Sequence, residues 1–329
     1  MRSRKLLQAP YSAPYAFVGA GSHALQNLYP ILLYLGIPLK YICCKSPGKL
    51  SAVERRFGVT ATVSFDDILN DADVKGVFIC ASPQSHFALC KRAIDAGKYV
   101  FVEKPPCLSS DELNQLIEAD SSLKAMAGMQ KRHSPYIKAL KTELAKNSPI
   151  SYSMAYRTGA YPEGNAVTEL FIHPIDLCIH LFGNAVIKDF HRVEANGSTT
   201  IQMLLSHAGT IGLMELSSAY SWSRPEESLR INTPDAEYRL TQMDRLSRQP
   251  HPKKIFGVPL DKAGLFTPRV QVLAERSNFS PLAANNQLVT QGFLSEIENF
   301  ANLVEHSGEN AAPLSSLKET YRIMDLLQA

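Results

Sequence analysis

The run Tyr15-Ala16-Phe17-Val18-Gly19-Ala20-Gly21-Ser22-His23-Ala24 decides the reading of the fold. Four residues suited to a buried strand pass into a GxGxxA turn, and the amphipathic pattern of residues 22–35 continues it as a helix. In such a turn Gly19 permits the tight bend and Gly21 lets the backbone approach a pyrophosphate. Ala24 allows close packing of the helix, whose first N–H groups are donors for an anion. The motif is short, and its weight comes from its place at the head of a βαβ series. Gly19, Gly21, Ser22 and His23 are therefore expected to contact a dinucleotide. Working outward, apolar runs near 39–44, 61–63, 75–81, 98–103 and 124–130 alternate with helical patterns near 48–57, 85–96 and 109–120, which predicts a parallel sheet. Gly36 and Gly97 follow the last apolar helical positions, and Ser109 with Glu112 forms a capping box. Pro30 lies inside the first helical pattern without a backbone donor, which predicts a kink.

Beyond a helix at about 134–146 the pattern changes. Runs at 150–158, 185–194, 199–206, 210–219, 227–232 and 236–242 read as strands of an antiparallel meander with one face covered by helices. One strong helix, about 166–182, interrupts them. The proline-rich stretch 245–285 has no clear period and reads as a long loop, and helices at about 290–305 and 313–328 close the chain. The expected division is residues 1–128 as a dinucleotide-binding domain and 129–329 as an α+β domain.

The 329 residues suit two domains, and 45% hydrophobic with 20% charged residues describes a globular chain, not a collagen, coiled coil or disordered polymer. A formal charge of +3 argues against a nucleic-acid groove. No segment reaches the ~18 apolar residues of a membrane span, and the basic start lacks the marks of a leader peptide. The six cysteines show no CxxC or metal-knuckle spacing and read as reduced thiols of a cytoplasmic protein.

The strand ends carry the chemistry. Where an NAD enzyme usually holds a carboxylate for the ribose diol, the second strand ends Cys43-Cys44-Lys45-Ser46. Cys44 leaves room for a 2′-phosphate, and Lys45 and Ser46 offer it a charge and a hydroxyl, so NADP is the expected cofactor with NAD as the alternative. Ser82, Pro83 and His86 close the fourth strand, and Glu103-Lys104-Pro105 closes the fifth, on the edge where doubly wound folds bind ligands. A helix cap is the competing use of His86, and an ion pair with Glu103 that of Lys104. In the helix of 166–182, Glu169, His173, Asp176 and His180 are spaced by four, three and four, within a ~60° sector of one face. The remaining faces are apolar, so this polar stripe must line a cavity or a hydrogen-bonded seam. The His/Asp/His spacing also fits a metal.

These residues, with Gly128-Met129-Gln130-Lys131-Arg132 and His173-Pro174-Ile175-Asp176, resemble the glucose-fructose oxidoreductase/inositol dehydrogenase family over nearly all of residues 14–220. The resemblance implies a Rossmann domain followed by an α/β domain with a large open, mostly antiparallel sheet, through which copies assemble as a homodimer or homotetramer. It implies hydride transfer between a nicotinamide and a sugar, sugar-acid or cyclitol hydroxyl or carbonyl, without a metal. Its catalytic lysine falls on Lys104 and its Asp-x-x-x-His pair on Asp176 and His180. His180 would then be the base, Asp176 would stabilise its imidazolium, and Lys104 would polarise the substrate oxygen. The segment from Arg157 to Asn165 looks shorter than in many relatives and lacks their tryptophan and glycine pair. Arg157, Tyr161 and His173 are candidate substrate contacts, and Lys131 with Arg132 would favour an anionic substrate. Two rival readings remain: a catalytically silent NADP-binding regulator, and a redox-neutral NAD-dependent glycosidase of the same family.

Overall fold

The computed structural model describes residues 10–262, 264, 268–277, 279 and 285–328. The chain divides into two compact units. The first joins the chain up to Gln130 with Gly292–Asp325, and the second joins Lys131–Gln291 with the chain from Leu326.

In the first unit β1 (Tyr15–Val18), β2 (Leu39–Cys43), β3 (Thr60–Thr62), β4 (Gly76–Ile79), β5 (Tyr99–Glu103) and β6 (Ala125–Gly128) form an all-parallel sheet of order β3-β2-β1-β4-β5-β6. The order reverses between β1 and β4, the switch point where such sheets bind ligands. The crossovers are α1 (Tyr29–Leu35), α2 (Leu50–Phe57), α3 (Phe65–Asn70), α4 (Pro83–Asp95) and α5 (Ser110–Ala119). The disturbance expected at Pro30 takes the form of a π turn over Ala24–Leu28, after which Pro30 occupies the first turn of α1. Gly36 and Gly97 adopt left-handed conformations at helix ends, and Ser109 accepts from the Glu112 N–H. Glu112 accepts in return from Leu108.

The helix Phe293–Glu305 packs on this sheet, not on the one that precedes it in sequence. The Phe300 ring lies 5.0 Å from Phe78 and 5.8 Å from Phe101, and all three side chains are buried. Ala127 donates to the Ala312 carbonyl, and Tyr321 donates to the Cys107 carbonyl at 2.8 Å.

In the second unit α6 (Pro135–Leu144) precedes β7 (Ser151–Arg157), and a π turn over Val167–Phe171 leads into α7 (Ile172–Phe182). The strands β8 (Val186–Ala195), β9 (Ser198–Ser206), β10 (Ile211–Ser217), β11 (Glu226–Asn232), β12 (Ala236–Thr241) and β13 (Arg245–Pro250) follow. A short ribbon, β14 (Lys254–Ile255) with β15 (Val258–Pro259), precedes β16 (Gln271–Glu275). The large sheet has the order β16-β13-β12-β11-β7-β10-β9-β8, antiparallel except for β7 with β10. The fold is thus a Rossmann sheet followed by a large, mostly antiparallel one.

The long loop expected over 245–285 is corrected in part, because β13 and β16 extend the sheet there. Their pairing lies at its edge, where prolines at 250, 252 and 268 can stand at strand ends, and Leu246 supplies the buried position that anchors β13. The α7 helix runs antiparallel to β7. At its start Phe171 meets Tyr156 edge-on at 6.5 Å, and at its end Phe182 stacks on Tyr152 at 4.1 Å. Among the described residues no helix is long and apolar enough to cross a membrane.

Because Phe300 fills the space over Phe78 and Phe101, Phe300→Ala should lower unfolding free energy in urea by about 3–5 kcal/mol. A loss under about 1 kcal/mol would show that this helix is not part of the first core.

Candidate active site

The first turn is set by sterics. Gly19 has φ +116°, and a Cβ there would stand 2.0 Å from the Cys80 carbonyl oxygen. At Gly21 a Cβ would meet nothing within 4 Å, so the protein's own packing does not demand glycine there and the floor of the turn is left open to an approaching group. This turn borders a cleft of about 1080 Å³. Gly19, Gly21, Ser22 and His23 line it from the turn, Cys44, Lys45 and Ser46 from the end of β2, and Ser82 from the end of β4. Lys49, not singled out in the sequence, lines it as well. Its signal was the Pro47-Gly48-Lys49 turn, which carries a second ammonium to the same wall. Burial pushes the Cys44 thiol up, against a downward pull from Lys49. The cleft fits a dinucleotide in size, and its open floor and lysine wall suit phosphate groups.

Pro83 and His86 serve differently. Pro83 occupies the first turn of α4. His86 is buried, with Nδ1 at 2.8 Å from the Pro105 carbonyl and Nε2 at 3.1 Å from the Ala81 carbonyl. Burial lowers its pKa, and a neutral ring donates only one of these bonds. His86 is a strut between the end of β4 and the Glu-Lys-Pro turn, whose Lys104–Pro105 peptide is cis. Glu103 reaches back to the first turn: its Oε1 lies 3.2 Å from His23 Nε2, and its Oε2 accepts the Lys104 backbone N–H at 3.0 Å. Burial pushes the Glu103 carboxyl up, but His23 and the Lys104 charge outweigh this and hold it below the usual range. Lys104 thus follows a residue fixed at both carboxylate oxygens.

In the second unit the polar stripe of α7 is buried from Glu169 to Asp176 and half-exposed at His180. Both Asp176 oxygens accept from the Arg132 guanidinium, Oδ2 at 2.7 Å, while the Asp176 charge also acts on His180 one turn further along the helix. Helical spacing identified the shared face but not the residue opposite it. Arg132 is committed to this buried pair, and Lys131 to Glu227, with its ammonium 5.0 Å from the Tyr156 ring. Arg157 donates to Glu215 at 2.8 Å and to Glu226 at 2.7 Å. The expectation that Lys131 and Arg132 favour an anion therefore loses its basis, since internal carboxylates already meet both charges.

Tyr161 donates to Glu169 at 2.9 Å, and the other Glu169 oxygen accepts the Asn165 N–H. Glu169 lies one turn before His173, whose side chain is buried. The polar stripe thus has two ends. Glu169 lies toward Tyr161, and the start of the helix toward Tyr156, while the end of the helix lies toward Tyr152. His180 Nε2 is 3.3 Å from the Lys141 ammonium, and burial with the Lys141 and Arg132 charges lowers its pKa to about 4. Beside it, burial and neighbouring cations lower buried His133 to about 3. Among the described residues no group of three His, Cys, Asp or Glu side chains is placed to hold a metal.

A model of the oxidoreductase family with the NAD-binding Rossmann fold, that of glucose-fructose oxidoreductase and inositol dehydrogenase, matches residues 14–130. The match covers the Rossmann part of the first unit. The chain is 36% identical over 173 residues to the uncharacterized oxidoreductase YhhX of Escherichia coli, covering 47% of this chain and 50% of that protein. It is 25% identical over 148 residues to inositol 2-dehydrogenase/D-chiro-inositol 3-dehydrogenase of Lactiplantibacillus plantarum, covering 41% and 42%. The chain spans about half the length of the curated relatives it matches. A dehydrogenase from Chromobacterium violaceum has the same fold, with a TM-score of 0.82 at 17% identity over 97% of this chain and 95% of that one.

The two lowered imidazoles give the protein a pH signature. Unfolded histidine titrates near 6.5, so between about pH 6.5 and 3 the unfolded chain binds protons that folded His133 and His180 refuse. Their contribution to stability is complete above pH 6.5 and is lost as pH falls through that window. In urea unfolding, His133→Leu should lose stability less steeply between pH 6.5 and 4 than the parent. Equal slopes would contradict the burial of a neutral ring.

Proposed function

We propose that the protein is a nicotinamide-dependent dehydrogenase or reductase acting on a CH–OH group or carbonyl of a sugar or cyclitol. The observation that carries this reading is the Gly19–Gly21 turn bordering a dinucleotide-sized cleft, tied through His23 and Glu103 to the segment that carries Lys104. When bound, the nicotinamide supplies the hydride acceptor or donor. Lys104 holds the substrate oxygen and stabilises negative charge on it, and an imidazole of α7 takes or returns the hydroxyl proton.

Of the two imidazoles on that helix, His173 is the base in this proposal and Glu169 its positioning carboxylate. Three features support the choice over Asp176 and His180. The Asp176 charge is already met by Arg132, His180 Nε2 faces the Lys141 ammonium, and Tyr161 is bonded to Glu169, one turn before His173. The Arg132–Asp176 pair then fixes the helix without touching the reaction. NADP is the proposed preference, supported by the absence of a carboxylate at Cys44 and by Lys45, Ser46 and Lys49 on the cleft wall. The outer face of the large sheet exposes Ile211 and the cross-strand partners Leu204 and Leu213, which supports assembly of copies through that face.

Lys104→Ala and His173→Ala should each lower kcat about a hundredfold with little change in cofactor affinity, while His180→Ala stays within about threefold of the parent. A hundredfold loss confined to His180→Ala would return the base to His180. In titrations of the apo protein NADP should bind roughly tenfold to a hundredfold more tightly than NAD, the range expected of charge-assisted phosphate contacts. Lys45→Ala should weaken NADP alone. Equal or tighter binding of NAD would overturn the preference.

A further inference from the structure

Beside the loop that precedes α7 lies a second cavity, of about 490 Å³, lined by residues of the second unit. One wall is that loop, with Tyr161, Gly164 and Asn165, and the other is the end of the β8–β9 hairpin, with Ala195, Ser198 and Thr199. Both walls are fixed. The hairpin closes through Asn196-Gly197, whose left-handed φ values of +52° and +72° make the tight two-residue turn that suits the twist of its strands, and Ala195 pairs with Ser198 across it. In the loop, Asn165 accepts the Val167 N–H at 2.8 Å. Leu327 and Gln328 brace both walls: the Leu327 carbonyl accepts from Arg192 of β8 at 2.7 Å, and the Gln328 side chain accepts from Asn165 at 3.0 Å. The cavity is therefore built into the fold, and its volume is that of a small-molecule site.

Its walls suit a neutral guest. Arg192 is the one cation among the described lining residues, and it is committed to Glu194 of its own strand and to the Leu327 carbonyl. A carboxylate or phosphate entering the cavity would find no uncommitted cation there, and would meet the charges of Glu194 on the wall and of Glu163, which acts on Tyr161. The Asn196 amide and the Ser198 and Thr199 hydroxyls can donate as well as accept, and Tyr161 adds an aromatic ring. Such a set complements a ring that carries several hydroxyls. The cavity also adjoins the polar stripe of α7. Tyr161 donates to Glu169 at 2.9 Å, and a Cβ on Gly164 would stand 2.3 Å from Glu169 Oε1. Two residues that line the cavity are thus in contact with the carboxylate one turn before His173.

We propose that this cavity binds a neutral, hydroxyl-rich ring, a sugar or cyclitol without carboxylate or phosphate, at a site additional to the one where hydride passes. The ring is either the second ring of a glycosidic substrate or a separate sugar. An influence on turnover through Tyr161 and Glu169 rests on the reading above that His173 is the base, whereas binding in the cavity does not.

Ser198→Phe and Ala195→Phe each fill the cavity from the hairpin wall, where a phenyl group suits a strand and no proposed reacting group is touched. The full chain is titrated by calorimetry with cellobiose, D-glucose, myo-inositol, D-glucuronate and glucose 6-phosphate. At least one neutral ring should bind saturably and more tightly than either anion. Its affinity should fall about tenfold in each variant, with NADP affinity within about twofold of the parent. Thermal unfolding checks both variants, and if one melts early the other decides. Equal binding in the parent and the variants, tighter binding of an anion, or no binding of any ring overturns the proposal. Turnover separates the two sources of the ring. If it belongs to the substrate, cellobiose exceeds D-glucose in kcat/KM and loses that advantage in Ser198→Phe; if it is a separate sugar, an added unreactive ring changes turnover in the parent and not in the variant. If no sugar is oxidised or reduced, the functional reading fails by itself, and the calorimetric titration still decides the cavity.

Discussion

The peptide at Gly19 is the constraint on which the cofactor cleft depends. Its N–H donates to the Cys43 carbonyl at the end of β2, and its carbonyl accepts the Tyr29 hydroxyl from α1. The Cys80 carbonyl at the end of β4 occupies the space a side chain would need. Three elements around the switch point are therefore in register only while position 19 has no Cβ and a left-handed backbone. From this fixed point the chain presents an open floor at Gly21 and sets His23 against Glu103. That bond connects the dinucleotide turn to the segment bearing Lys104, so cofactor site and proposed reacting group share one rigid edge of the sheet.

The second unit is governed by buried charge. Placing Lys131, Arg132, Glu169 and Asp176 away from water is tolerable only with a partner for each. Arg132 and Asp176 meet that need together, Lys131 is met by Glu227, and Glu169 by Tyr161 and a backbone N–H. Because these needs are met internally, the two cations are committed to carboxylates of the protein itself. Glu169 lies in the π turn at Val167–Phe171. Widened turns of this kind are common where a helix serves a site.

Much of this was legible in the sequence because local rules and global fold agree there. The alternation of short apolar runs with capped helices specified the parallel sheet, and the GxGxxA turn and Lys45 were found at the cleft they imply. What escaped depended on partners distant in sequence. The apolar stripe of residues 293–305 announces a helix but not which sheet Phe300 covers. The prolines of 245–285 hid two edge strands whose pairing is long-range. Four-residue spacing placed Asp176 beside His180 on one face, yet nothing along the helix revealed that Arg132, 44 residues earlier, would take the carboxylate. Trp222, from the loop after β10, lies against Gly159, another contact that spacing along the chain does not reveal.

Nicotinamide absorbance, followed against product formed from a neutral sugar or cyclitol with each cofactor, tests the central claim most directly. The account predicts one nicotinamide reduced for each hydroxyl oxidised, or the reverse for a carbonyl, with NADP the more effective partner. Turnover of a glycoside without net absorbance change, or tight cofactor binding with no turnover of any sugar or cyclitol, would contradict it.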